Sequence, residues 1–110
     1  MLFNIIATIG TAEVELAPYP GGLSTVPSGK VRKIYVLIAT NTATTTNTLT
    51  LRVYRGDVVE KSLNIIIPAS STISITSRVD SPVLILPGNR TIRAVATASS
   101  VDLVLTCYDE

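Results

Sequence analysis

The side chains that could carry out acid–base or nucleophilic chemistry in this chain are few. There is no histidine, so the commonest general base and the commonest zinc ligand are both absent. The single cysteine, Cys107, has no partner for an intrachain disulfide and no candidate base to activate it. It shares a predicted strand face with Val101, Leu103 and Leu105, which indicates a small buried side chain.

The eight carboxylates are scattered over predicted turns and outward strand positions. They are Glu13, Glu15, Asp57, Glu60, Asp80, Asp102, Asp109 and Glu110. A pair at the separation that glycosidases use is compatible with the sequence, but the scattered placement favours solvated surface groups. No Gly-rich phosphate loop precedes a helix, because no helical periodicity is present. We therefore expect a protein that is not an enzyme, with no catalytic residues, no metal and no cofactor.

Two short signals could serve binding. Arg55-Gly56-Asp57 matches the tripeptide that integrins recognise, but a tight hairpin needs a glycine of this kind anyway, so we interpret it as a turn. Basic residues beside two similar turns, at 26–30 and 86–90, could form a basic patch at one end of the fold. They are Lys30, Arg32, Lys33, Arg90 and Arg93.

Nucleic acid is not the partner that this patch predicts. The chain contains only one Phe and four Tyr, so the aromatic platforms that stack on bases are scarce. The net charge of +1 also provides no overall field that would attract nucleic acid or an anionic membrane. We expect the basic residues to be solvated or paired across a subunit interface.

The composition is apolar for a small soluble protein. Hydrophobic residues make up 46% of the 110 residues and charged residues 15%, against about 25% charged in typical domains. Such a surface suits a subunit that hides part of itself against partners. The length predicts one domain over 1–110, with N-terminal strands and a Pro/Gly loop in 1–25 and the main core in 26–110.

The stretch from 34 to 40 organises the predicted fold. It is apolar on both faces of a strand, with Ile34, Val36 and Ile38 on one side and Tyr35, Leu37 and Ala39 on the other. A strand of this kind lies centrally in a sheet or has its outer face covered. We predict a central strand whose Ile34 face points into the core.

The rest of the chain reads as shorter strands, with turn signals about every ten residues and no helical period. The first ten residues lack the basic start of a secretion signal and alternate as a strand does. A short edge strand is predicted at 23–26, and a last hairpin pairs 91–98 with 101–108. The pattern predicts an all-β, antiparallel β-sandwich, jelly-roll-like, with about nine strands and no significant helix. A barrel is the alternative architecture.

A series of turn-and-strand pieces follows in order from residue 26 to the end. They are Val26-Pro27-Ser28-Gly29-Lys30, Ala39-Thr40-Asn41-Thr42, Ile67-Pro68-Ala69-Ser70-Ser71-Thr72, Leu86-Pro87-Gly88-Asn89, Ile92-Arg93-Ala94-Val95-Ala96 and the strand at 101–105. In this order they resemble small β-structured virion proteins of tailed phages and related prokaryotic viruses. The resemblance implies a capsid-decorating or head–tail or tail-associated subunit, with major capsid or other virion proteins as partners. It implies a virion location after synthesis in the host cytoplasm, and no catalytic residues.

The second apolar face of the central strand predicts self-assembly. The residues assigned to faces opposite the core are Tyr35, Leu37, Ala39, Ile66 and Val95. Their apolar area would be large for a monomer to expose, so we expect a homo-oligomer, and a trimer in preference.

The alternative function is a carbohydrate- or receptor-binding module of a viral fibre or cell-surface protein. Sugar binding normally uses exposed Trp or Tyr rings. The chain has no Trp, so such platforms would have to come from tyrosines in loops or turns, such as Tyr19 and Tyr54.

Overall fold

Strands make up the regular structure of this chain. The computed structural model describes residues 2–19, 21–77, 82–98 and 100–110. The strands, in chain order, are β1 (Leu2–Ile9), β2 (Val14–Glu15), β3 (Arg32–Asn41), β4 (Asn47–Arg55), β5 (Val58–Ile67), β6 (Thr72–Thr76), β7 (Leu84–Leu86), β8 (Thr91–Ala96) and β9 (Val101–Asp109). Over the described residues, no helix has the length and apolar character needed to cross a membrane.

The strands form two antiparallel sheets. The first sheet has the order β1-β9-β3-β6, and β7 pairs with the other end of β3. The second sheet has the order β2-β8-β4-β5. The prediction of an all-β antiparallel sandwich of about nine strands is confirmed. The central position of β3 is confirmed as well, because it pairs with β9 on one side and with β6 and β7 on the other.

The strand pairs are nested along the chain. β1 pairs with β9, β2 with β8, β3 with β6 and β4 with β5. Successive pairs belong alternately to the first and second sheets. The innermost pair is the hairpin β4–β5, which Gly56 and Asp57 close with Gly56 at φ +62°. The turn predicted at 55–57 is therefore confirmed.

The core lies between the sheets and comes from alternate residues of each strand. Leu49, Leu51 and Val53 of β4 are buried and belong to the same core cluster as residues of β9 on the facing sheet. The buried residues of β9 are Val101, Leu103, Leu105 and Cys107. Burying one such aliphatic side chain contributes about 1.5–3 kcal/mol, so these alternating sets position the two sheets. The burial predicted for Cys107 is confirmed.

A β-bulge in β3 reverses the faces predicted for the central strand. The register with β9 shifts between Ile34 and Val36, which makes Tyr35 the inserted residue. Ile34 points into the core before the bulge, and Leu37 does so after it. Val36 and Ile38 lie on the outer face and are partly exposed. The prediction that Ile34, Val36 and Ile38 share the core face is wrong, because one inserted residue reverses the alternation.

Two predicted elements near the turns also differ. Residues 91–98 and 101–108 are not hairpin partners, because β8 pairs with β2 and β4 whereas β9 pairs with β1 and β3. Residues 23–26 form no strand. Val26 is instead buried, donating its N–H to the Arg90 carbonyl at 2.9 Å and accepting from the Asn89 N–H at 2.8 Å. These bonds bring the two similar turns together.

Candidate interaction surfaces

Among the described residues, the potential metal ligands form no cluster, because no three His, Cys, Asp or Glu side chains come together as a metal site would require. Cys107 is fully buried between the sheets, and burial raises the pKa of its thiol to about 12. A thiol in this state is a poor nucleophile at neutral pH. Asp80, one of the scattered carboxylates, lies outside the described residues.

The residues of the predicted basic patch are mostly neutralised within the chain. The ion pairs join Arg32 to Asp109, Lys33 to Glu110, Arg90 to Glu60, and Arg93 to Glu13 and Glu15. Lys30 is exposed in the turn before β3. Although the two turns adjoin, Arg32 and Lys33 belong to the first sheet and Arg93 to the second. The prediction of one basic patch is therefore corrected. Its members lie on different sheets, and carboxylates distant in sequence neutralise most of them.

A charged cluster lies on the outer face of the second sheet and consists of Glu13, Arg52, Tyr54 and Arg93. Arg52 Nη1 donates to Glu13 Oε2 at 2.7 Å, and the Tyr54 hydroxyl donates to Glu13 Oε1 at 2.8 Å. The Arg93 guanidinium lies 4.0 Å from the Tyr54 ring centroid, a cation–π distance. Burial raises the pKa of Glu13, but these hydrogen bonds and the two arginine charges outweigh it and lower the pKa overall. The carboxylate thus joins two arginines that face each other across β4 and β8.

The outer face of the first sheet is almost uncharged over its three middle rows. In the central row, Ile6 of β1 lies opposite Val104 of β9, and Val104 lies opposite Ile38 of β3. We call Ile6, Val104 and Ile38 the apolar row. The flanking rows are Asn4–Thr106–Val36–Thr76 and Thr8–Asp102–Thr40–Thr72. Asp102 is the one charged residue in these rows, and it accepts a hydrogen bond from the Thr8 hydroxyl at 3.1 Å.

A depression of about 490 Å³ lies at one end of the same face. Tyr35 and Tyr108 line it together with Leu2, Ser77 and Thr106. The bulge shapes this depression, because the Tyr35 carbonyl accepts hydrogen bonds from the Ser77 N–H at 2.9 Å and the Ser77 hydroxyl at 3.1 Å. Sites for small ligands usually have volumes of about 300–1,000 Å³. The depression is therefore a candidate ligand site with two phenol rings.

The outer edge of the second sheet is β5. It pairs with β4 along one side, and among the described residues no backbone hydrogen bond joins its other side to another segment. The β1 edge of the first sheet differs, because the Tyr19 N–H donates to the Asn4 carbonyl there at 2.8 Å. Val58, Val59 and Ile66 of β5 are exposed. An open edge strand with exposed apolar side chains is a template for pairing with another strand.

Comparisons with known proteins find distant similarity to solved structures but no sequence family. No protein-family model matches the chain, and no curated protein sequence matches it. A chain from the structure of Bacillus endospore appendages, described as a novel family of disulfide-linked pili, aligns with 98% of this chain and 84% of its own. The sequence identity is 17% and the TM-score is 0.44. A similarity at this level assigns neither a family nor a function.

The interface residues predicted from the sequence do not lie together on one outer face. Leu37 and Ala39 belong to the core, and Tyr35 is 9% exposed. Ile66, which is 66% exposed, and Val95, which is partly exposed, lie on the second sheet. The prediction of a single shared face is corrected, because the bulge turns Leu37 and Ala39 inward.

Sequence reasoning missed the residues that form the outer face of the first sheet. The alternation of side chains in β1 and β9 could have identified this face. Ile6 and Val104 are each adjacent in sequence to a buried residue, Ile5 and Leu103, and so must point to the opposite side of the sheet. No sequence pattern identifies Tyr108 as part of a ligand site, since that site is the depression beside the bulge at Tyr35. Only the three-dimensional position of the bulge brings the two tyrosines together.

Proposed function

We propose that this chain is a non-enzymatic structural subunit of a virion that assembles with copies of itself. The observation that carries the proposal is the apolar row of Ile6, Val104 and Ile38, flanked by rows with a single charge at Asp102. Such a face carries almost no charge that would oppose a second copy, whereas Arg52 and Arg93 of the second sheet are paired with Glu13. Burial of the apolar row between copies would release its ordered water.

The nested pairing of strands supports a jelly-roll description of the sandwich. With β7 set aside, the pairs β1–β9, β2–β8, β3–β6 and β4–β5 correspond to two interleaved Greek keys. Jelly rolls of this kind occur in viral capsid and lectin domains. A fold does not by itself assign a function, so the outer face remains the stronger argument.

In this proposal the subunit forms a homotrimer that decorates a capsid or belongs to the head–tail junction or tail. The copies bury their first-sheet faces against one another, and other surfaces bind the major capsid protein or another virion protein. Closed cyclic symmetry is the usual outcome for identical subunits. The subunit is made in the host cytoplasm and functions in the virion.

The test is the mass of the protein in solution, measured by light scattering and sedimentation. We expect an oligomer for the wild type and a smaller species for Ile38→Lys, because a lysine in the apolar row opposes like charges across the interface. Thr44→Lys places the same charge on the exposed loop between β3 and β4 and should leave the mass unchanged. A wild-type monomer at high micromolar concentration would contradict the proposal.

The depression beside Tyr35 favours a second function, the binding of a saccharide. Tyr108 supplies aromatic surface for a sugar ring, and the Ser77 and Thr106 hydroxyl oxygens line the depression as acceptors, since their hydrogens are donated to the Tyr35 carbonyl and to Asn4 Oδ1. We expect Tyr108→Ala to abolish binding on a glycan array without changing the mass in solution. If the wild type binds no glycan on that array, the depression is not a saccharide site.

A further inference from the structure

The open edge of β5 has a regular segment with defined ends. At one end, Lys61 pairs with Val53 and Val59 pairs with Tyr54, which leaves Glu60 as a bulged residue. At the other end, Pro68 follows the strand and has no N–H to donate. A bulge and a proline both terminate pairing on an edge. Residues 61–67 are therefore the part of the edge that can accept a new strand.

We propose that two copies of this chain pair their β5 strands antiparallel across a two-fold axis that passes midway between the two copies of Asn64. The pairing joins the four-stranded second sheets of the two copies into one continuous sheet. It rests on the proposed function, a self-assembling homotrimer, and specifies a second interface, separate from the apolar row, that joins a subunit of one trimer to a subunit of another. The occupant of the edge is a second copy because the segment is complementary to itself.

The position of the axis follows from the ends of the segment. A two-fold axis perpendicular to the sheet keeps the core faces of both copies on the same side. Since opposite residues of an antiparallel pair have side chains on the same face, one residue must then lie opposite its own copy, with the axis midway between the two. Asn64 is the midpoint of 61–67, and an axis there uses every residue of the segment. An axis at Leu63 would bring the bulged Glu60 into the ladder, and an axis at Ile65 would bring in Pro68.

The side chains agree with this register. On the core side, Leu63 lies opposite the partner's Ile65, so the half-buried Leu63 at the open edge of the sandwich is covered. On the outer side, Ser62 lies opposite the partner's Ile66, which is exposed in the single chain. No two like charges oppose each other, and Lys61 lies at the end of the ladder, where its ammonium reaches solvent.

Asn64 can form a hydrogen bond with its own copy across the two-fold axis. Its Oδ1 accepts a hydrogen bond from the Thr50 hydroxyl at 2.9 Å. That bond fixes the amide on the outer face and presents Nδ2 as a donor to the partner's Asn64. The backbone groups along the edge add main-chain hydrogen bonds, which supply most of the affinity when one strand extends another sheet.

Cross-linking through a single introduced thiol tests the pairing. Residues opposite each other in an antiparallel pair have Cα atoms about 4.5–5.5 Å apart, within the range that a disulfide spans. The native Cys107 is buried and does not compete. We expect Asn64→Cys to give a covalent dimer on mild oxidation, seen by non-reducing electrophoresis and mass spectrometry.

Ser62→Cys is the matched control, because it lies on the same face of β5 but opposite the partner's Ile66. It should remain uncross-linked under the same conditions, and both variants should keep the far-UV circular dichroism of the wild type. If Asn64→Cys does not cross-link, or if Ser62→Cys cross-links equally well, the pairing about Asn64 is wrong.

A second substitution separates this inference from the proposed function. In the Asn64→Cys background, Ile38→Lys should leave the cross-link intact and reduce the native mass to that of a dimer. If the wild type is oligomeric but Asn64→Cys gives no cross-link, the edge pairing fails and the proposed function stands. If the cross-link forms while Ile38→Lys leaves the native mass unchanged, the edge pairing stands and the role of the apolar row fails.

Discussion

Arg32 and Asp109 form a two-pronged ion pair between β3 and β9. Arg32 Nε and Nη2 donate to the two carboxylate oxygens of Asp109 at 2.8 and 3.0 Å. Arg32 is only 2% exposed, and its guanidinium lies 4.9 Å from the ring centroid of Phe3 on β1. The residue thus holds the ends of three neighbouring strands together and contributes little positive charge to the surface.

Removing the carboxylate from this pair should destabilise the fold. We expect Asp109→Ala to lower the free energy of unfolding by about 3 kcal/mol, because it leaves a buried guanidinium without its counter-charge. Chemical denaturation measures the change. Asp102→Ala removes an exposed carboxylate and should cost less than about 0.5 kcal/mol. If the two substitutions lower the free energy of unfolding equally, the buried guanidinium of Arg32 does not need Asp109 as its counter-charge.

Asn41 provides a buried donor at the end of β3. Its side chain is fully buried, and Nδ2 lies 2.9 Å from the Thr45 carbonyl and 3.1 Å from the carbonyls of Ile67 and Pro68. An aspartate here would place a carboxylate against these carbonyl oxygens, with no hydrogen to donate. We expect Asn41→Asp to lower the free energy of unfolding by about 3 kcal/mol or more.

Asn47 is the matched control, because it is equally buried but mainly accepts hydrogen bonds. Its Oδ1 accepts from the N–H groups of Thr97 and Ala98, each at 3.1 Å. Asn47→Asp retains these acceptors and loses only the donor to the Ala98 carbonyl, so we expect a loss of about 1–2 kcal/mol. Thermal denaturation should rank Asn41→Asp as the less stable variant. The reverse order would contradict the assigned amide orientations.

The charged cluster around Glu13 should make the stability of the folded chain sensitive to acid. The pKa of Glu13 is lowered below its ordinary value of 4.5 in the folded chain, so the unfolded chain takes up a proton first as the pH falls. The stability that this carboxylate contributes is present above pH 4.5 and is lost as the pH falls through the lowered pKa. Glu13→Gln should be less stable than the wild type at neutral pH and should converge with it in acid. A constant difference across that range would contradict the lowered pKa.

The sequence was sufficient where a strand alternates without interruption. In β4 and β9 the period of two identified every buried aliphatic residue and the one buried cysteine, because each strand has one face on the core. The nine-strand sandwich followed from the same pattern and the turn signals. Residues 55–57 show this well, since a glycine at φ +62° closes the predicted hairpin.

The candidate surfaces were less predictable, since they depend on non-local geometry. Nothing in an apolar run such as 34–39 marks Tyr35 as the inserted residue of a bulge, and that one residue decides which side chains face outward. The basic residues likewise depend on partners far along the chain, as Arg32 and Asp109 are 77 positions apart. Sheet membership of β8 and β9 is also non-local, because consecutive strands can pair or can lie in opposite sheets.

Leu37 and Ile38 allow the bulge itself to be tested with one substitution at two adjacent positions. Leu37 is fully buried between the sheets, whereas Ile38 lies in the partly exposed apolar row. Leu37→Lys should abolish folding, because a buried unpaired charge costs several kcal/mol against a total stability of about 5–15 kcal/mol. Ile38→Lys should keep the wild-type far-UV circular dichroism and a cooperative thermal transition. An uninterrupted alternation from Ile34 would predict the opposite pair of results, so a folded Leu37→Lys variant beside an unfolded Ile38→Lys variant would show that β3 has no bulge at Tyr35.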